Sequence, residues 1–283
     1  MRLSRNGIIM LLPATVLFLA LLGGPIITLI EESFRLFVPG RVGSTEGAPF
    51  TLKNYTELIE FAYIRFFWLT VRVSFIAAVF ATALGFTIDY SVSRIKSEVA
   101  RKLWIGFLVT MMFISILVRV YSLELTFGPV GLMKWLPGVL GFRRSSAAMI
   151  EIVVVAGLLH FTLPMAALTL VGTVQNVNPR LAEAAQTLGA SRWLAHLTVT
   201  IPMCARGLLS AFLISFTLSV SAFIVPLILG KGRVVFVSNL IYSRFSEIAN
   251  YPSGAALSLV LLVFSFAIVY AITEFVSRRL EYN

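Results

Sequence analysis

Six ionisable side chains lie in or beside the long apolar runs of this 283-residue sequence: Arg72, Asp89, Arg119, Glu124, Glu151 and His160. A charge in hydrocarbon is costly, so such residues mark a solute path, a relay or an ion pair. Each also has a plainer reading. Arg72 and Arg119 stand near span ends, where long side chains snorkel to water. Glu124 and Glu151 stand near the same surface and are the acidic candidates for a cationic solute. Asp89 can pair with Arg94, and His160, the deepest, can serve packing. Glu151 and His160 are nine residues apart on one helix, which puts them on opposite sides.

The spacing does not assemble a reaction centre. There is no H-E-x-x-H, no G-x-S-x-G and no G-x-x-x-x-G-K-[ST] phosphate loop. The single cysteine, Cys204, excludes an intrachain disulfide and a thiolate metal cluster. Glu31, Glu32 and Arg35 resemble the paired-glutamate signature of membrane prenyl-proteases. The arginine falls one residue too near, however, and no partnering histidine follows. The chain therefore reads as a non-enzyme that binds no metal and carries no cofactor of its own.

The elements that must position these residues follow from composition. The chain is 58% hydrophobic and 13% charged, with mean hydropathy +0.92; soluble domains are roughly a quarter charged. Its net charge of +10 would suggest nucleic acid in a soluble protein. Here the basic residues flank apolar runs, which makes them membrane anchors and argues for lipid contact and against nucleic acid. Six spans are expected, at about 7–30, 66–90, 103–123, 147–174, 207–230 and 254–276. Long uncharged runs without alternation are helices, so the fold class is all-α, polytopic and membrane-embedded, in one domain over residues 1–283. The first run is too long for a signal peptide and is read as a retained helix. Charge asymmetry between the loops is slight, though the cluster Arg94–Lys102 in a short loop favours a cytoplasmic N-terminus.

The 172–206 segment is the longest one on that side. Asn178-Pro179 starts a helix: an Asn cap, then Pro in the first turn. Leu181, Ala184, Ala185 and Leu188 recur at helical spacing as an apolar stripe, with Glu183 and Thr187 turned away. Gly189 supplies the left-handed stop. Ser191 caps a second short helix, Arg192–Thr200, with Pro202 after it. An interfacial helix lying on lipid would show a basic polar face. This one shows Glu183, Gln186 and Thr187, which suits docking to protein.

"EAAQTLGASRWLAHLTVTIP" resembles the EAA loop of type I ABC importer permeases, with Glu183, Ala184, Ala185, Gly189, Ile201 and Pro202 at matching offsets. "VRVYSLELTFGPVGLM" is similar to the spermidine/putrescine-type branch. The resemblance implies a six-span permease whose EAA helix couples to a separate cytoplasmic ATPase through Glu183, Ala184, Ala185, Gly189, Arg192 and Trp193. It implies two copies of that ATPase, which hold the ATP and Mg²⁺. It further implies a second permease, related but distinct, a periplasmic solute-binding protein, and a bacterial inner-membrane location with both termini cytoplasmic. The cargo expected is a small polar solute, a polyamine or related amino-acid-derived compound, with Arg119, Glu124, Glu151 and His160 as path candidates. An ion-driven secondary transporter is the alternative. It would show internal repeats and broken spans, and the sequence displays neither.

Overall fold

The computed structural model describes residues 5–281 except 41–43, 45–46, 129–130, 132, 140 and 142–145. The described residues form helices: α1 (Arg5–Ser33), α2 (Lys53–Glu57), α3 (Phe61–Ser93), α4 (Glu98–Phe113), α5 (Ile116–Phe127), α6 (Leu136–Val139), α7 (Ala147–Gln175), α8 (Pro179–Thr187), α9 (Arg192–Ala195), α10 (Ile201–Met203), α11 (Ala205–Ser221), α12 (Ile224–Leu229), α13 (Val237–Tyr242) and α14 (Tyr251–Glu281). Wider π turns at His196–Thr200 and Ser243–Glu247 interrupt the series. Four single helices, α1, α3, α7 and α14, are long and apolar enough to cross a bilayer. Two bent pairs make the count six if each is one crossing.

The bends correct the expectation of unbroken spans. Between α4 and α5 the chain turns by 93°, because Ile114 and Ser115 are both extended, at ψ 127° and 137°. No Gly or Pro marks the place. The expected span 207–230 is also two helices, α11 and α12, parted at Ala222, which is extended at ψ 125°. Here the cause is Pro226, which has no N–H for the carbonyl four residues back. That carbonyl, on Ala222, instead accepts from Ser238 Oγ at 2.8 Å; the next, on Phe223, keeps its bond from the Leu227 N–H at 3.0 Å and accepts a second from Asn239 Nδ2 at 2.7 Å. Side chains thus recover what the proline leaves open, as a bilayer requires. The second bent pair turns by 74° at Cys204, before α11.

The chain divides into two compact units. In the first, residues 1–65 and 240–264, α1 exposes its apolar side chains. Its C-terminal end is pinned by Asn54, whose Nδ2 donates to the carbonyls of Ser33 and Arg35, both at 2.9 Å. Glu31 pairs with Arg35, and Glu32 accepts from the Ser44 N–H at 2.8 Å. The paired glutamates therefore hold a local turn. Arg244 Nη2 donates to the Tyr63 hydroxyl at 2.7 Å.

The second unit, residues 66–239 and 265–283, contains two apolar cores. One gathers Val73, Val120, Val154, Leu158, Leu229 and Phe236. The other gathers Ala81, Ala166, Leu170, Val174, Cys204 and Ala211. Small residues on α3 allow a close approach to α7: a Cβ built on Gly85 would stand 3.0 Å from the backbone nitrogen of Ala167. With little hydrophobic drive between helices in lipid, such contact is what holds them.

Candidate coupling surface and buried polar groups

The 172–206 segment folds into the short elements its sequence encodes. Asn178 Oδ1 accepts from the Arg180 N–H at 3.0 Å, capping α8 with Pro179 in its first turn. At the other end Gly189 takes φ +95°. Its N–H donates to the Gln186 carbonyl at 3.0 Å, and the Ala190 N–H to the Ala185 carbonyl at 3.1 Å. That pair of bonds closes the last turn and is open to glycine because it has no Cβ to clash. Ser191 Oγ then caps α9, accepting from Leu194 N at 3.3 Å. The helix runs on through the π turn to Ile201–Met203, so Pro202 lies inside it and does not follow it.

The stripe on α8 divides. Ala185 is half-buried against the chain's own fold, next to Ala182, a residue outside the expected stripe that is buried. Leu181, Ala184 and Leu188 face outward, Leu188 with 89% of its surface free. Glu183 is exposed beside them, as are Arg192 and Trp193, the latter at 76%. Five large apolar side chains, Leu181, Leu188, Trp193, Leu194 and Leu197, thus stand open on a short polar segment. Residues set that way mark an interaction surface.

The path candidates pair differently from their sequence reading. Glu151 accepts from Arg72 Nη2 at 2.5 Å, and Glu124 meets Lys231 Nζ at 2.8 Å. Both acids are neutralised within the chain. Lys231 holds φ +49° in a turn between Gly230 and Gly232, a strained position for a side-chain residue. Arg119 is only 5% exposed and so does not snorkel. Its Nη1 donates to the His160 carbonyl at 3.3 Å, and its Nε and Nη2 have no partner among the described residues. His160 Nδ1 lacks one too. Arg119 and His160 therefore come together, while Glu151 lies with Arg72.

Asp89 is 3% exposed, and neither carboxylate oxygen has a hydrogen-bond partner among the described residues. The expected pair with Arg94 does not form. Arg94 instead lies over the Tyr90 ring at 4.7 Å and donates to its hydroxyl at 3.0 Å. Ser74, Thr82, Ser215 and Ser219 also carry buried hydroxyls that have no partner among the described residues. Sequence reading passed over these. On α3 the signal was present, since Ser74, Thr82 and Asp89 recur at helical spacing, on the face that carries Gly85.

Comparisons with known proteins agree with this architecture. The spermidine/putrescine transport system permease protein PotB of Haemophilus influenzae is 27% identical over 238 residues, covering 82% of this chain and 83% of that protein. The inner membrane ABC transporter permease protein YdcU of Escherichia coli is 24% identical over 274 residues, 89% and 87% of the two chains. A solved bacterial ABC transporter that imports the acidic polysaccharide alginate superposes with TM-score 0.69 over 95% of this chain and 94% of that one, at 18% identity. Its fold is therefore shared. The profile for binding-protein-dependent transport system inner membrane components matches residues 8–282, and the chain belongs to that family.

Proposed function

We propose that this chain is the permease half of an ATP-driven importer and that α8 couples it to a separate cytoplasmic ATPase. The carrying observation is the open strip Leu181–Ala184–Leu188, on a helix that Gly189 stops, in a chain with no phosphate loop of its own. Two ATPase copies and a second permease complete the complex, and a periplasmic binding protein delivers the solute. One solved alginate ABC transporter is in complex with a solute-bound periplasmic protein, which supports that arrangement. The EAA loop then faces the cytoplasm, as do both termini, in a bacterial inner membrane. The PotB relatives favour a polyamine or a related amino-acid-derived compound as cargo.

The test is uptake into vesicles reconstituted with the permease pair, the ATPase and the binding protein. Uptake is expected to require ATP inside and to survive an ionophore that collapses ion gradients. Uptake that persists without ATP and stops with the ionophore would establish the ion-driven alternative.

Arg119 belongs to the transport machinery on the same reading. A buried guanidinium with two idle nitrogens contributes little to the fold, and replacing such a charge by an apolar side chain is often neutral or stabilising. Arg119→Met is expected to hold stability within about 1 kcal/mol while uptake falls about tenfold or more, the scale of one charged hydrogen bond to a protein acceptor such as the His160 carbonyl, since a donor-only guanidinium makes none to a polycationic cargo. Unchanged uptake in a stable variant would remove Arg119 from the path.

A further inference from the structure

An apolar groove of about 730 Å³ lies in the second unit, lined by Phe86, Tyr90, Ile201, Leu208, Phe212 and Ile272 among others. A polar cavity of about 210 Å³ lies further along α3, lined by Ser93, Arg94, Arg101 and Gln175 with Val174 and Val177. The two meet at one pair of residues. Tyr90 lines the groove, and Arg94, which stacks on Tyr90 and bonds its hydroxyl, lines the cavity. The Tyr90–Arg94 contact thus sets the apolar groove beside a polar cavity that two guanidiniums line.

We propose that this composite site binds an anionic phospholipid, with an acyl chain in the groove and the phosphate against Arg94 and Arg101. Basic pockets between spans on the cytoplasmic side suit such headgroups. Tyr90 and Trp193, both on the groove wall, are the aromatic residues that favour the interfacial level. A transmembrane helix of the second permease fits less well. Charge separates the two occupants, since an apolar helix has nothing to offer the arginines. The cytoplasmic-leaflet assignment rests on the orientation proposed above. Because Trp193, His196 and Ile201 of the loop also line the groove, lipid bound there touches the segment that follows α8.

The experiment uses the assembled transporter in nanodiscs of phosphatidylcholine and phosphatidylglycerol. Matched probes carry a photoactivatable acyl chain on one headgroup or the other. The phosphatidylglycerol probe is expected to label the peptides around Phe86 and Leu208 about thirtyfold more than the phosphatidylcholine probe, the scale that two arginines set at an anionic surface. Arg94→Gln with Arg101→Gln should bring the two probes level. Ala83→Phe, at an exposed groove position, should abolish groove labelling by filling it, with the arginines intact. Labelling of α1 serves as the unselective control and should not change in any variant. Equal labelling by both probes, or headgroup preference that survives the double arginine variant, overturns the proposal. So does a groove that is labelled in this chain alone and silent in the complex, because the second permease then covers it. None of these readouts requires ATP, so failure here is distinct from failure of the coupling assignment.

Discussion

Glu183→Arg and Leu188→Glu, each alone, are expected to weaken retention of the ATPase by about a hundredfold while the membrane domain melts as before. The second half of that expectation follows from exposure. Glu183 has no side-chain partner among the described residues, and Leu188 is almost entirely free. Surface changes of this kind shift stability by about 0.5 kcal/mol or less. The first half follows from what a partner would cover. Burying a leucine contributes about 1.5–3 kcal/mol, and putting a carboxylate in its place adds a desolvation cost of similar size. Gly189→Val tests the same surface by geometry. At φ +95° a branched residue is strained by about 1–3 kcal/mol, and the relief is to unwind the last turn of α8, which moves Leu188. Co-purification and vesicle uptake read all three variants. An ATPase that stays bound with transport intact in Leu188→Glu would show that α8 faces lipid or water and carries no coupling.

The sequence made some of this legible for physical reasons that vary by element. The start and stop of α8 were readable because Asn178, Pro179 and Gly189 act locally, through one side-chain bond, one missing N–H and one missing Cβ. The long spans α3, α7 and α14 were readable because a bilayer demands length and apolarity. The break at Ile114–Ser115 was not, since a lone serine in an apolar run is equally a helix residue and an N-cap, and tertiary packing decides. Pro226 was visible, but its consequence was not. A proline breaks a span or is tolerated in it according to whether donors arrive from elsewhere, here Ser238 and Asn239 from beyond the next turn.

Ion pairing was the least legible feature. Arg72 and Glu151 are 79 positions apart, and Glu124 and Lys231 are separated by more than a hundred. Nothing in local pattern joins them. Their pairing alters the chemistry of the interior. The acids that looked available to a cationic solute are already neutralised, while among the described residues buried Asp89 has no hydrogen-bond partner and buried Arg119 has only the His160 carbonyl. A buried charge without a partner is expensive, so these two are the positions where hydration, cargo or a second conformation has most to gain.

Gly85→Leu is expected to disrupt the packing of α3 on α7 strongly. The methyl carbon of an alanine at this site would already sit 3.0 Å from Ala167 N and 3.3 Å from its Cα. Those are backbone atoms of a helix, which cannot rotate aside as a side chain can. Alanine offers some return, because glycine costs about 1 kcal/mol in a helix interior. Gly85→Ala should therefore fall within about 1 kcal/mol of the parent. Leucine adds three more carbons in the same direction and must part α3 from α7. Overpacking costs typically about 1–3 kcal/mol, and the rigid neighbour puts this case at or beyond the top of that range. The buried hydroxyls of Ser74 and Thr82 stand on the same face of α3 and would lose their packing with it. Gly172 on α7 is the control: a Cβ there meets nothing within 4 Å, so Gly172→Leu should leave the melting temperature unchanged or raised. Thermal unfolding in detergent reads the series. If Gly85→Leu melts with Gly172→Leu, the close approach of α3 and α7 is not what holds this bundle together.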